Sequence, residues 1–132
     1  MIEAEQLKYK LNSFQETLED LSGSLALEAK KERIDQLELN MEEPGFWDNV
    51  EESQNVMKEV KSLKGVVEEY DDLKTKYEDI ETLIDMAEED EDADLIEEAT
   101  ALMDEFLKTY EELRISTLLT GEYDKDDAIL TL

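Results

Sequence analysis

The stretch Leu63-Lys64-Gly65-Val66-Val67-Glu68-Glu69-Tyr70-Asp71-Asp72-Leu73-Lys74-Thr75-Lys76-Tyr77-Glu78-Asp79-Ile80-Glu81-Thr82-Leu83-Ile84-Asp85-Met86-Ala87 decides the fold. Written in sevens, position a holds Leu63, Tyr70, Tyr77 and Ile84, and position d holds Val66, Leu73, Ile80 and Ala87. A strict seven-residue repeat keeps a narrow apolar seam facing a partner helix and gives left-handed, coiled-coil-like packing. Val56 and Val60 carry the stripe upstream, so the spacing predicts a helix over residues 50–88. From Leu63 to Ala87 it would rise about 36 Å at ~1.5 Å per residue. Gly65 costs about 1 kcal/mol in a helix interior and does not break the pattern.

Upstream lies Glu42-Glu43-Pro44-Gly45-Phe46-Trp47-Asp48-Asn49. Pro44-Gly45 stops one helix and turns the chain, and Asp48 or Asn49 can cap the next, with Glu51 or Glu52 three residues on. Phe46 and Trp47 sit beside this turn. The one Trp of a polar chain can be an exposed partner contact, but its more usual place is a plug at the end of a bundle, and that is the expectation here.

Before the turn, a helix is predicted over residues 26–42, with Ile34, Leu37 and Met41 on one face. Lys30, Lys31 and Arg33 make its first half basic. They read as a docking patch for acidic partners or, more economically, as local neutralisation of Glu28, Glu32 and neighbouring acidic helices. The first segment, residues 3–21, places Leu7, Leu11, Phe14, Leu18 and Leu21 on one stripe. It is expected to end at Ser22-Gly23-Ser24, where Gly23 suits a left-handed stop.

Downstream, Glu88-Glu89-Asp90-Glu91-Asp92-Ala93-Asp94 reads as a solvated turn, with Asp92 or Asp94 capping a last helix over residues 95–119. Asp90, Asp92 and Asp94 imitate the start of an EF-hand loop, but the sixth position is Leu95 instead of Gly and the twelfth is Ala101 instead of Glu. The last helix shows a broad apolar face of Ile96, Ala99, Leu102, Met103, Phe106, Tyr110 and Leu113, wide enough for two neighbours. Ala128-Ile129-Leu130-Thr131-Leu132 has strand composition. With nothing to pair with, it suggests a chain cut at the start of a β-containing domain.

Composition narrows the function classes. Of 132 residues, 39 are acidic and 13 basic, for a net charge of −26. Such a surface repels phosphate and anionic lipid, so a direct partner is expected to be a protein, and a basic one. Self-repulsion also makes stability depend on screening. Added salt is expected to raise the melting temperature, and a flat or falling melting temperature would overturn that. There is no Cys and no His, which excludes disulfides, thiolate chemistry, imidazole catalysis and a His/Cys zinc site. Carboxylate pairs abound, but helix exteriors explain them, and no acid/base couple stands out. Met1-Ile2-Glu3-Ala4-Glu5-Gln6 has neither a basic start nor an apolar run, so no signal peptide is expected.

Three stretches carry a resemblance. Ala29-Lys30-Lys31-Glu32-Arg33-Ile34, the turn Glu43-Pro44-Gly45-Phe46-Trp47-Asp48, and Leu118-Leu119-Thr120-Gly121-Glu122-Tyr123-Asp124-Lys125-Asp126-Asp127-Ala128-Ile129-Leu130 resemble the bacterial peptide chain release factor 2 family. They look like the start of its second helix, its Pro-x-Phe-Trp-Asp/Asn turn, and its exit from the helical domain into the next domain's first strand. The likeness covers the whole chain in order. The Trp turn and the Gly-Glu-Tyr-Asp exit are its specific parts, and Ala26, where the family often has an acidic residue, departs from it.

The resemblance implies the function. Full-length members read UAA and UGA on the ribosome with a Ser-Pro-Phe tripeptide and trigger peptidyl-tRNA hydrolysis through a Gly-Gly-Gln loop. Neither tripeptide is here, since the single Pro, Pro44, lies between Glu43 and Gly45. The chain is thus expected to be the amino-terminal interaction domain, neither decoding nor releasing by itself. Implied partners are the ribosome, through the stalk-base protein of the large subunit, and the GTPase release factor. No cofactor, metal, membrane or direct nucleic-acid contact is expected.

The expected fold is all-α, an elongated antiparallel bundle of three to four coiled-coil-like helices over residues 1–121, with residues 122–132 as an extended tail. The chain is expected to be cytoplasmic and monomeric, with tail-to-tail pairing as a truncation artefact. Contact residues are sought at Lys30, Lys31, Arg33, Phe46 and Trp47. Two other classes fit the composition. A free-standing coiled-coil scaffold or prefoldin-like chaperone would be open and oligomeric. An acidic nucleic-acid mimic would bind a basic site with steep salt dependence.

Overall fold

The computed structural model describes residues 2–119. Among them there is no strand. The elements are α1 (Ile2–Asn12), α2 (Gln15–Ser24), α3 (Leu27–Met41), a 3-10 turn (Phe46–Asp48), α4 (Val50–Asp90) and α5 (Ala93–Leu119). The all-α expectation holds, with five α-helices in place of three to four. The expected extended tail, residues 122–132, lies outside the described residues. The chain divides into two compact units, one formed by the segments before Ala26 and after Tyr70, the other by Ala26–Tyr70.

In the larger unit the heptad seam meets its partners. Leu73, Tyr77, Ile80, Ile84 and Ala87 of α4 are buried, as are Ile96, Ala99, Met103, Phe106 and Leu113 of α5. Tyr77 and Phe106 lie 6.0 Å apart between ring centroids, and Lys76 Nζ is 3.8 Å from Glu105. These pairs are symmetric about the α4–α5 turn, so the two helices run antiparallel. The broad face of α5 serves two neighbours, as its width predicts. Phe14 packs edge-on against Phe106 at 5.5 Å and Tyr110 at 5.6 Å. Within α1, Lys8 Nζ lies 3.7 Å from Asp85 and 3.5 Å from Glu88.

Two expectations fail in the first segment. A single helix over residues 3–21 is replaced by α1 and α2, broken at Ser13-Phe14. The Ser13 hydroxyl donates to the Lys10 carbonyl at 2.6 Å, and the Phe14 N–H donates to the Leu11 carbonyl at 2.9 Å. This side-chain competition and the tighter three-residue spacing interrupt the four-residue ladder. Leu11, Leu18 and Leu21 stay buried, while Leu7 and Phe14 are half-buried. Gly23 is not the left-handed stop either. The helix runs on to Ser24, and Ala26 takes the left-handed conformation at φ 52.

The acidic run also differs from expectation, because α4 continues through Asp90 and the turn is Glu91-Asp92 alone. Glu91 is left-handed at φ 50. The Asp92 N–H returns to the Ala87 carbonyl at 3.2 Å, the six-to-one bond of a Schellman ending. Asp92 Oδ1 then accepts from the Asp94 N–H at 2.9 Å, so Asp92 is the cap of α5. A left-handed residue with a Cβ costs about 1–2 kcal/mol. Glu91→Gly is therefore expected to raise stability by about 1 kcal/mol, read as a higher urea midpoint at unchanged m-value. Glu91→Gln separates out the contribution of the lost charge, and a glycine variant no more stable than the glutamine one would refute the strain argument.

The smaller unit is a two-helix hairpin of α3 and the first part of α4, closed by the 3-10 turn. Leu27, Ile34, Leu37, Phe46, Val60 and Tyr70 are its buried apolar residues. Asn49 caps α4, its Oδ1 accepting from the Glu52 N–H at 3.0 Å, one of the two caps the sequence offers. The seam is less covered here, for Leu63 and Val66 are half-buried.

Candidate interaction surface

The turn between α3 and α4 sets the exposed features of the smaller unit. Gly45 sits at φ 85, and a Cβ there would lie 3.4 Å from the Asp48 carboxylate. The Phe46 N–H donates to the Glu43 carbonyl at 3.2 Å and the Asp48 N–H to the Gly45 carbonyl at 3.0 Å. This tight coil leaves two adjacent aromatics unequally covered. Phe46 is buried, while Trp47 is 55% exposed, the rings meeting edge-to-face at 4.8 Å. The expectation that Trp47 plugs the bundle is thus corrected. Phe46 is the plug, because the left-handed Gly45 orients the first ring after it toward the hairpin, and Trp47 is left outside.

The basic residues of α3 are engaged within the chain. Lys31 Nζ lies 3.8 Å from Glu28. Arg33 donates Nε to Glu59 at 2.8 Å and a second guanidinium nitrogen at 3.2 Å, clamping α3 to α4. Lys30 is half-buried. Local neutralisation accounts for Lys31 and Arg33, with Glu59 on α4 as a partner the spacing along α3 could not reveal.

The Arg33 hydrogen bond holds the Glu59 carboxyl below its ordinary range, against a smaller opposing effect of burial. A depressed folded-state pKa gives stability that is present above the unfolded value and lost as pH falls through the folded one. Both groups are largely exposed, so solvent screening keeps the effect small. Glu59→Gln is expected to be less stable than wild type at neutral pH and to converge with it below the ordinary carboxylate range. A pH-independent difference in urea midpoint would show that the pair does not carry it.

A second feature escaped the sequence reading. An open groove of about 400 Å³ runs along the hairpin, lined by Met41 of α3 and by Met57, Val60, Lys61, Lys64, Gly65 and Glu68 of α4. Met57 is 42% exposed. Lys64 Nζ lies 2.7 Å from Glu38, a hydrogen bond that raises its pKa. Gly65 could have signalled the groove. A Cβ at this position meets nothing within 4 Å and its φ is not left-handed, so nothing among the described residues calls for a glycine, which costs a helix about 1 kcal/mol relative to alanine.

Among the described residues no group of three carboxylates is placed to hold a metal ion, and no helix is long and apolar enough to cross a membrane. Every buried side-chain polar atom described has a partner. Fold and surface together define an acidic α-helical chain of two units, one built on the heptad seam of α4 with α5 and one whose turn exposes a Trp.

The chain belongs to the PCRF domain family, whose model matches residues 30–132. It is 36% identical over 134 residues to peptide chain release factor 2 of Clostridium perfringens, a match spanning 99% of this chain and 36% of that protein. Peptide chain release factor 2 of Exiguobacterium sp. is 35% identical over 131 residues, covering 99% of this chain and 36% of its own length. That of Proteus mirabilis is 35% identical over 132 residues, covering 100% and 36%. The chain thus spans about a third of the length of the relatives it matches.

Proposed function

We propose that this chain is the amino-terminal interaction domain of a class-one translation termination factor. The whole protein would recognise UAA and UGA on the ribosome and trigger peptidyl-tRNA hydrolysis, and would work in the cytoplasm. The similarity along the entire chain to proteins named peptide chain release factor 2 carries this reading. The chain has neither Ser-Pro-Phe nor Gly-Gly-Gln, so alone it binds without decoding or hydrolysing. Its partners in this reading are the ribosomal stalk-base protein and the GTPase release factor. A charge of −26 favours a basic protein surface over bare RNA. The exposed Trp47 is the strongest single contact, since aromatic anchors dominate interfaces. Phe46 supports it from within, whereas Arg33 and Lys31 are taken up by Glu59 and Glu28 and offer a basic partner little.

Burial of the seam from Leu73 to Ala87 disfavours a scaffold that would offer it to other chains. The test is a chimera in which this chain replaces the matching third of the Clostridium perfringens factor. Peptide release at UAA and UGA is expected to persist, and the isolated chain is expected to bind ribosomes without releasing peptide. A chimera no better than a factor lacking that third, with no ribosome binding by the chain, would refute the reading.

A further inference from the structure

We infer that the groove over Gly65 is a docking site for an amphipathic helix of a protein partner, one that sets an apolar side chain over Gly65 and a carboxylate against Lys61. The inference stands apart from the termination-factor reading, since it rests on the hairpin alone.

Gly65 is the first ground. Neither backbone conformation nor crowding within the chain requires a glycine there. An interior helical glycine facing open space leaves its backbone bare to close approach by another chain. The second ground is the lining. Met41, Met57 and Val60 make an apolar floor, and methionine adapts its shape to what it meets. Two helices alone leave a third side open, and helix-in-groove binding fills such a side with apolar anchors spaced by one turn.

Charge complementarity selects the occupant. In a chain of net charge −26, most of the surface repels a carboxylate. Here Lys61 and Lys64 line the groove against one carboxylate, Glu68. Lys64 is taken up by Glu38. No carboxylate of the described residues is within ion-pair reach of Lys61, and Lys58 lies one turn earlier on α4. A helix bearing Lys or Arg beside its apolar face would set cation against cation, whereas one bearing Glu or Asp finds Lys61 unpaired.

The test uses the full 132-residue chain, with labelled backbone amides and methionine methyls followed by NMR at physiological salt. Two synthetic helical peptides share one leucine spacing and differ in flanking residues, glutamate in one and glutamine in the other. The glutamate peptide is expected to shift the Gly65 amide and the Met41 and Met57 methyls. It should bind about three- to fivefold more tightly than the glutamine peptide, the worth of one exposed ion pair. Preference for an acidic peptide by so acidic a protein is not what overall charge predicts. Gly65→Leu, whose Cβ would meet nothing within 4 Å, is expected to abolish the shifts while the far-UV spectrum is unchanged. Lys61→Gln, which leaves the floor intact, is expected to erase the preference. No shift at these resonances, equal or tighter binding of the glutamine peptide, or undiminished binding by a folded Gly65→Leu would each overturn the proposal.

Discussion

Phe106→Ala is expected to cost about 3–5 kcal/mol of stability. Phe106 is fully buried and lies where three elements of the larger unit converge. It meets Phe14 between α1 and α2 and Tyr77 on α4, while Leu11, Leu73 and Met103 are as deeply buried. Truncation removes the transfer free energy of the ring and leaves a cavity whose walls belong to different helices, so no single shift closes it. A domain's whole stability is about 5–15 kcal/mol, so the variant should sit near the edge of folding. Far-UV circular dichroism in urea is the right measure, because Trp47 belongs to the other unit and its fluorescence need not follow this core. The expected result is a lower midpoint at unchanged m-value. A loss below about 1 kcal/mol, the ordinary range of a non-core substitution, would mean that the core does not turn on this ring. Adding Phe14→Ala should cost less in the Phe106→Ala background than alone, by about 0.5–1.5 kcal/mol, if the edge-to-face pair is a true coupling.

Much of this core was legible in the sequence. Seven-residue spacing from Leu63 to Ala87 reports that a helix has a partner along its length, and the width of the α5 face reports a second one. Both statements concern which residues leave water, and periodicity encodes that. Breaks within one stripe are harder to read. Leu7, Leu11, Phe14, Leu18 and Leu21 fit an unbroken helix, and burial alone gives no sign that the ladder is interrupted between α1 and α2. The interruption comes from hydrogen bonding at Ser13 and Phe14, which leaves the stripe's spacing unchanged.

Left-handed positions escape the spacing for a related reason. Glycine is the cheapest residue at such a position and Gly23 therefore attracts the turn on propensity, yet Ala26 and Glu91 are the non-glycine residues that take it. At the surface, the Arg33 patch could be read as neutralised charge, although its partner Glu59, 26 residues away, is defined by the pairing of α3 with α4. The groove was hidden because the heptad pattern absorbed Gly65 as a tolerable exception. A pattern that tolerates a residue does not explain it, because the space around Gly65 is set by the pairing of α3 with α4 and not by spacing along α4.

The Phe46-Trp47 turn puts the division between packing and recognition to its sharpest test. Phe46→Ala is expected to cost about 3 kcal/mol, at the low end for a buried Phe, because its ring closes a two-helix hairpin with few other buried apolar residues. Trp47→Ala is expected to cost no more than about 0.5–1 kcal/mol, since the indole is more than half exposed and gives up chiefly its edge-to-face contact with Phe46. Local unfolding of the smaller unit in Phe46→Ala would appear as a shifted and broadened Trp47 emission and as faster amide exchange in α3, with the larger unit's exchange little changed. Binding should divide the opposite way. Trp47→Ala is expected to keep the folded state and weaken ribosome association at least about tenfold, as an aromatic anchor does when truncated. If Trp47→Ala unfolds the hairpin while Phe46→Ala leaves it intact, the assignment of plug and anchor is reversed. If Trp47→Ala preserves both stability and binding, the turn is not the contact.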